Sequence, residues 1–84
     1  MIFVSEKIKF IVAGTEFSLS REDVERKLKG VEPENLHRVY VELNGKRYPI
    51  KQAFAVAAGF IRGGFTTHDA IRVFRKLLFS VGEV

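Results

Sequence analysis

The chain has no cysteine and no tryptophan, and only two prolines and two histidines. Without cysteine it can form no disulfide and no thiolate metal site, and the redox compartment stays open. No stretch approaches the ~18 consecutive apolar residues of a membrane-spanning helix. The opening "MIFVSEKIKF" also has no apolar run of signal-peptide length, so a cytoplasmic protein without membrane association is expected. Catalytic signatures are equally scarce. There is no H-x-x-x-H, D-x-D, Walker loop or G-x-S-x-G, and no serine stands in a recognisable nucleophile setting. The expectation is a protein that is not an enzyme and uses no cofactor or metal.

What is present is a chain of 84 residues, 46% hydrophobic, with eight phenylalanines. That is enough for one modest core, and residues 1–84 are read as a single domain. Charge is distributed unevenly. Residues 1–36 hold six Lys/Arg and seven Asp/Glu, whereas residues 37–76 hold eight Lys/Arg against only Glu42 and Asp69. A mixed-charge first half beside a basic second half is the footprint of an anionic partner, with nucleic acid the first candidate. A soluble basic surface with no partner has the same composition.

The pattern predicts a small α+β domain: an N-terminal strand and helix, a β-hairpin, then two C-terminal helices. "KIKFIVAG" alternates as a strand over Ile8–Val12 that ends near Gly14. Ser20 with Asp23 forms a capping signature, Leu19 and Val24 a hydrophobic staple, and Gly30 a stop. Val24 and Leu28 supply that helix's narrow apolar stripe, and "VEPENLH" reads as a loop. In "RVYVELNGKRYP" the residues Val39, Val41 and Leu43 alternate before an Asn-Gly turn. Pro49 is expected at the first helical position of a helix running to about Ala58, with Ile50, Ala53, Phe54, Ala57 and Ala58 inward. After "GFIRGGF", Thr66 is the expected cap of a last helix, with Phe65 and Ala70 as its staple. Ala70, Ile71, Phe74, Leu77 and Leu78 are assigned to its buried face.

The segment "NGKRYPIKQAF" carries an anomaly. Lys51 falls in the first turn of a helix, where the dipole favours acids and a cation costs about 0.3–1 kcal/mol. Lys46 and Arg47 stand just before it. A phosphate bound at the free N–H groups of that helix start reverses the sign of the interaction. A lysine that extends into water accounts for the same residue without any ligand. The second helix start, "RGGFTTH", adds Arg62, Thr67 and His68, of types that contact phosphates, although Thr66 is explained as a cap. Arg72, Arg75 and Lys76 continue the basic face along the last helix. Tyr48, held extended by Pro49, either packs at the domain edge or forms with Pro49 an apolar notch beside the cations.

"VYVELNGKRYPIKQAF" followed by "GFIRGGFTTHDAIRVFRKL" resembles a pattern in small uncharacterised bacterial and archaeal proteins, N-G-x-x-Y-P-x-K-Q and then F-T-T-H-x-A. More loosely, "GKRYPIKQ" is similar to the Tyr-Pro-x-Lys segment of the sulfur-binding domains of phosphorothioate-dependent restriction proteins. That resemblance implies an apolar cavity for sulfur lined by Tyr48 and Pro49, with Lys51 on the DNA backbone. His37 and Arg38 take the place of basic residues that the sulfur-binding family carries upstream. Gln52 departs from it, since a small apolar residue is common there. The resulting expectation is a double-stranded DNA-binding module using Arg38, Lys46, Arg47, Lys51, Gln52, Arg62, Thr67, His68 and Arg72. The alternative is a small interaction or regulatory module, a homodimer in one form of this reading, whose basic face meets an acidic protein.

Overall fold

The computed structural model describes residues 6–84. Met1–Ser5, the front of the segment weighed above for a leader, lies outside the described residues. The α+β class is as expected, with more strand than the sequence announced. Strand β1 (Ile8–Val12) pairs antiparallel with β2 (Thr15–Leu19), and helix α1 (Arg21–Leu28) follows. Strands β3 (Val39–Leu43) and β4 (Lys46–Pro49) form the second hairpin. Helix α2 (Ile50–Ala58), a 3₁₀ turn (Arg62–Gly64), helix α3 (Thr67–Lys76) and strand β5 (Ser80–Glu83) complete the chain. Strand β5 lies antiparallel on the free side of β3, so the second sheet has the order β4-β3-β5.

Two tight turns set the hairpins. Asn44 and Gly45 both take positive φ, 53° and 74°, which is the backbone twist a two-residue hairpin needs. The same geometry recurs at Ala13 and Gly14, φ 51° and 79°. Alanine is not a residue that signals such a turn, so β1 was expected to end without a returning strand. Its partner β2 nonetheless alternates, turning Phe17 and Leu19 inward beside Phe10. Strand β5 was not foreseen either. Its Gly82 sits opposite Tyr40, and a Cβ there would lie 2.6 Å from the Tyr40 hydroxyl. A side chain at that position is incompatible with the tyrosine lying across the strand.

The core is an aromatic cluster centred on Phe54, which is fully buried in α2. Its ring lies 4.5 Å from Phe65, 5.4 Å from Phe60, 6.1 Å from Phe17 and 6.2 Å from Phe74, between centroids. One side chain therefore joins the first hairpin, both later helices and the turn between them. Tilted and edge-on pairs of this kind add ~0.5–1.5 kcal/mol each beyond area burial.

Both capping boxes are formed. The Ser20 hydroxyl accepts from Asp23 N–H at 3.0 Å while the Asp23 carboxylate accepts from Ser20 N–H at 3.0 Å, and Thr66 with Asp69 does the same. Three expectations about the helices need correction. Pro49 ends β4 and stands at the cap position, so α2 begins at Ile50 rather than at the proline. Val73 is buried on α3, whereas Ile71 is only half-buried. Leu78 is 81% exposed, not part of the buried face. The reason is a Schellman ending: Phe79 N–H donates to the Phe74 carbonyl and Leu78 N–H to the Arg75 carbonyl, both at 3.0 Å. That motif puts Leu78 at φ 68°, turned outward, while Phe79 packs back on Phe74 at 5.8 Å.

Leu78→Gly is expected to stabilise the protein by up to about 1 kcal/mol, because glycine adopts the left-handed region without the Cβ clash; a higher urea midpoint at unchanged m-value is the check. Asp23 gives a second test. Burial opposes its ionisation, but the Ser20 N–H, the Ser20 hydroxyl, Lys7 and Arg26 outweigh this and hold the carboxyl well below the usual range. A depressed folded-state pKa contributes stability above the unfolded value of ~3.9 and loses it as pH falls further. The urea midpoint of the parent chain should drop between about pH 5 and pH 2, and drop less in Asp23→Asn.

Candidate functional site

The starts of α2 and α3 are brought side by side by the contact of Phe54 with Phe65, the residue just before the α3 cap. Between them lies a groove of about 600 Å³. Val39, Pro49, Ile50 and Ile71 supply its apolar lining, and Arg38, Lys51, Arg62, His37 and His68 its basic groups. Thr67 and Gln52 also line it, as do two acids, Glu34 and Glu83. Both histidines of the chain therefore face one groove, and three Lys/Arg meet two carboxylates there.

The α2 start has no side-chain cap and no acid in its first turn. Its leading N–H groups keep their partial positive charge for whatever the groove holds. Lys51 is less anomalous than its position implied, since its ammonium lies 5.0 Å above the Phe65 ring. Such a cation–π contact is worth ~0.5–1 kcal/mol at an exposed site and offsets the dipole penalty without a ligand. The α3 start differs: its capping box satisfies Asp69 N–H, while Thr67 and His68 add a hydroxyl and an imidazole to the groove wall.

Of the residues expected to contact DNA, Arg38, Lys51, Arg62, Thr67 and His68 are brought together here, with Pro49 beside them. Lys46, Arg47 and Arg72 are not. Lys46 is 3.9 Å from Glu32. Arg47 pairs with Glu42 at 3.0 Å and lies over the Tyr40 ring. Arg72 donates to the Ile11 carbonyl at 3.2 Å and lies near Asp69 at 3.7 Å.

Two expected roles are overturned by geometry. Tyr48 is 1% exposed, directly opposite Val41 in the sheet, so its ring cannot present an apolar notch at the surface. Its hydroxyl donates to the Val31 carbonyl at 2.7 Å and reaches the Leu28 carbonyl at 3.3 Å. Gln52 is 4% exposed: its Oε1 accepts from Glu34 N–H and its Nε2 donates to the Glu32 carbonyl, both at 2.9 Å. With its amide held at both ends, Gln52 is not a ligand contact. Together Tyr48 and Gln52 fasten the α1–β3 loop, the segment that carries Glu34, His37 and Arg38 to the groove.

Glu34 is the residue that sequence reasoning missed. Its carboxylate meets the Arg62 guanidinium head-on, at 2.7 Å to Nη1 and 2.5 Å to Nη2. The Arg62 hydrogen bond and charge hold the Glu34 carboxyl below its usual range, and Glu34 raises Arg62 in turn. No spacing in the sequence links a loop glutamate to an arginine 28 residues on.

Residues 8–84, which span every strand and helix described, match the model of a protein family, SCO5918-like. The chain belongs to the SCO5918-like family. No curated protein and no solved structure matches it. The likeness to a small uncharacterised family thus takes a definite form, and nothing in these comparisons extends it to the sulfur-binding domains. Among the described residues, no helix is long and apolar enough to cross a membrane, and no group of His, Asp and Glu is placed to hold a metal.

Gln52→Ala leaves the Glu34 N–H and the Glu32 carbonyl without their partners. A loss of about 1–3 kcal/mol is expected, read as a lower urea midpoint together with faster hydrogen exchange at the Glu34 amide.

Proposed function

We propose that this protein is a non-enzymatic module that binds the phosphate backbone of double-stranded DNA through the groove between the α2 and α3 starts. The observation that supports the reading is convergence: Arg38, Lys51, Arg62, His37 and His68 come from four separate segments to one groove beside an uncapped helix start. Among the described residues Arg38 and Lys51 have no carboxylate within ion-pairing distance, unlike Lys46, Arg47 and Arg72. Cations left in this state attract phosphates at no cost in broken ion pairs.

The apolar lining of Val39, Pro49, Ile50 and Ile71 beside Lys51 favours one refinement, a phosphorothioate in place of an ordinary phosphate. Sulfur is larger and less strongly hydrated than oxygen, and it gains more from an apolar wall. The second reading, a module for an acidic protein, is favoured by Ile61. That residue is 79% exposed and precedes the groove residue Arg62 in the chain, where a protein partner would bury it.

Anisotropy titrations with an unmodified duplex, a duplex carrying one phosphorothioate and a single strand test these readings. Binding of the duplexes with a steep salt dependence is expected. Lys51→Ala should weaken it and reduce the slope of log K against log salt by roughly 0.9, one phosphate contact. Unchanged affinity and slope in Lys51→Ala and His68→Ala would place any DNA binding elsewhere. No binding to any of the probes would favour the acidic-protein reading.

A further inference from the structure

We propose that Glu34 is a built-in competitor for the groove's anion, its carboxylate filling the Arg62 guanidinium fork in the free protein and giving way when a phosphate binds. This rests on the groove being an anion site. A carboxylate and a phosphate offer a guanidinium the same two-oxygen edge, so the two cannot occupy the Arg62 Nη1–Nη2 edge together. In the free protein that edge is taken by both Glu34 oxygens. The competitor is positioned rather than adventitious. Glu34 N–H is bonded to Gln52 Oε1, and the preceding loop is bonded through Glu32 to Gln52 Nε2 and through Val31 to Tyr48.

The same bonds make release local. They hold the Glu34 backbone, while its side chain and that of Arg62 are each about half exposed, 50% and 51%. Displacement is therefore a rotation of one exposed side chain into water, a ps–ns event that leaves the loop in place. Exposed ion pairs hold their partners only weakly, so the closed state tunes affinity by a few-fold instead of abolishing it. A phosphate bridging Arg62 and Lys51 or Arg38 gains contacts that Glu34 does not make, since among the described residues its only ion pair is with Arg62. The expected consequence is a groove that discriminates against isolated weak anions and opens to a ligand with several phosphates.

A double-mutant cycle on the full chain tests this, with a fluorescein-labelled DNA duplex as probe. Glu34→Gln keeps the backbone bond to Gln52 and removes the charge; it is expected to tighten binding roughly two- to five-fold. Arg62→Gln is expected to weaken binding, and Glu34→Gln to add nothing in that background. A gain of equal size in both backgrounds means that Glu34 merely repels the ligand at a distance, and overturns the competitor. Equal affinity of the parent chain and Glu34→Gln overturns it while leaving the groove as an anion site. No binding by the parent chain or any variant overturns the anion site and the competitor together.

Discussion

The contact between the Phe54 and Phe65 rings, 4.5 Å between centroids, is the interaction on which the rest of the molecule depends. Phe54 is the residue through which α2, α3, the first hairpin and the connecting turn all share one core. Phe65 precedes the α3 cap, so anchoring its ring against α2 decides where the last helix begins. The two helix starts are forced together on one side, and the chain between them carries Arg62 out to the rim. The same phenylalanine presents its face to Lys51. A core contact thus determines both the shape of the groove and the electrostatic tolerance of its most unusual cation.

A second tier of order comes from two buried polar groups. The loop between α1 and β3 has no regular structure, and a loop of that kind needs partners for its backbone. Tyr48 and Gln52 provide them, from β4 and α2, and no buried side-chain polar atom is left without a hydrogen bond among the described residues. Their neighbours in sequence, Pro49 and Lys51, turn to the groove instead. One short segment therefore serves both the interior and the site, where a strand end runs into a helix and successive side chains point to different sides. Two of its residues, Tyr48 and Gln52, hold the loop instead of facing a ligand.

Ion pairing sorts the cations expected at the interface. Lys46, Arg47 and Arg72, each expected at the interface, are neutralised locally by Glu32, Glu42 and Asp69. The net charge of +4 is thus not spread evenly in effect. Arg38, Lys51 and the two histidines share a concave surface with an apolar lining. Two acids share that surface, Glu34, paired with Arg62, and Glu83. The region matched by the SCO5918-like family, residues 8–84, contains every element that builds this arrangement.

Local chemistry was legible in the sequence wherever neighbours in the chain decide the outcome. Ser20 with Asp23 and Thr66 with Asp69 capped their helices, Asn44–Gly45 turned its hairpin, and the inward face of α2 was readable at Ile50, Ala53, Phe54 and Ala57. So were five of the basic and hydroxyl residues that line the groove. What the chain's neighbours do not decide stayed hidden. Strand β5 exists because β3 offers it an edge and Gly82 leaves room for Tyr40, and Leu78 turns outward because the α3 ending demands a left-handed residue there. Whether Tyr48 faced solvent or core, and which acid would find Arg62, depended on contacts between residues up to 28 positions apart. Sequence by itself determined the α+β class, the caps and the basic second half. Tertiary packing decided which cations converge, because convergence depends on the Phe54–Phe65 contact and on the Tyr48 and Gln52 bonds to the loop, and not on any spacing along the chain.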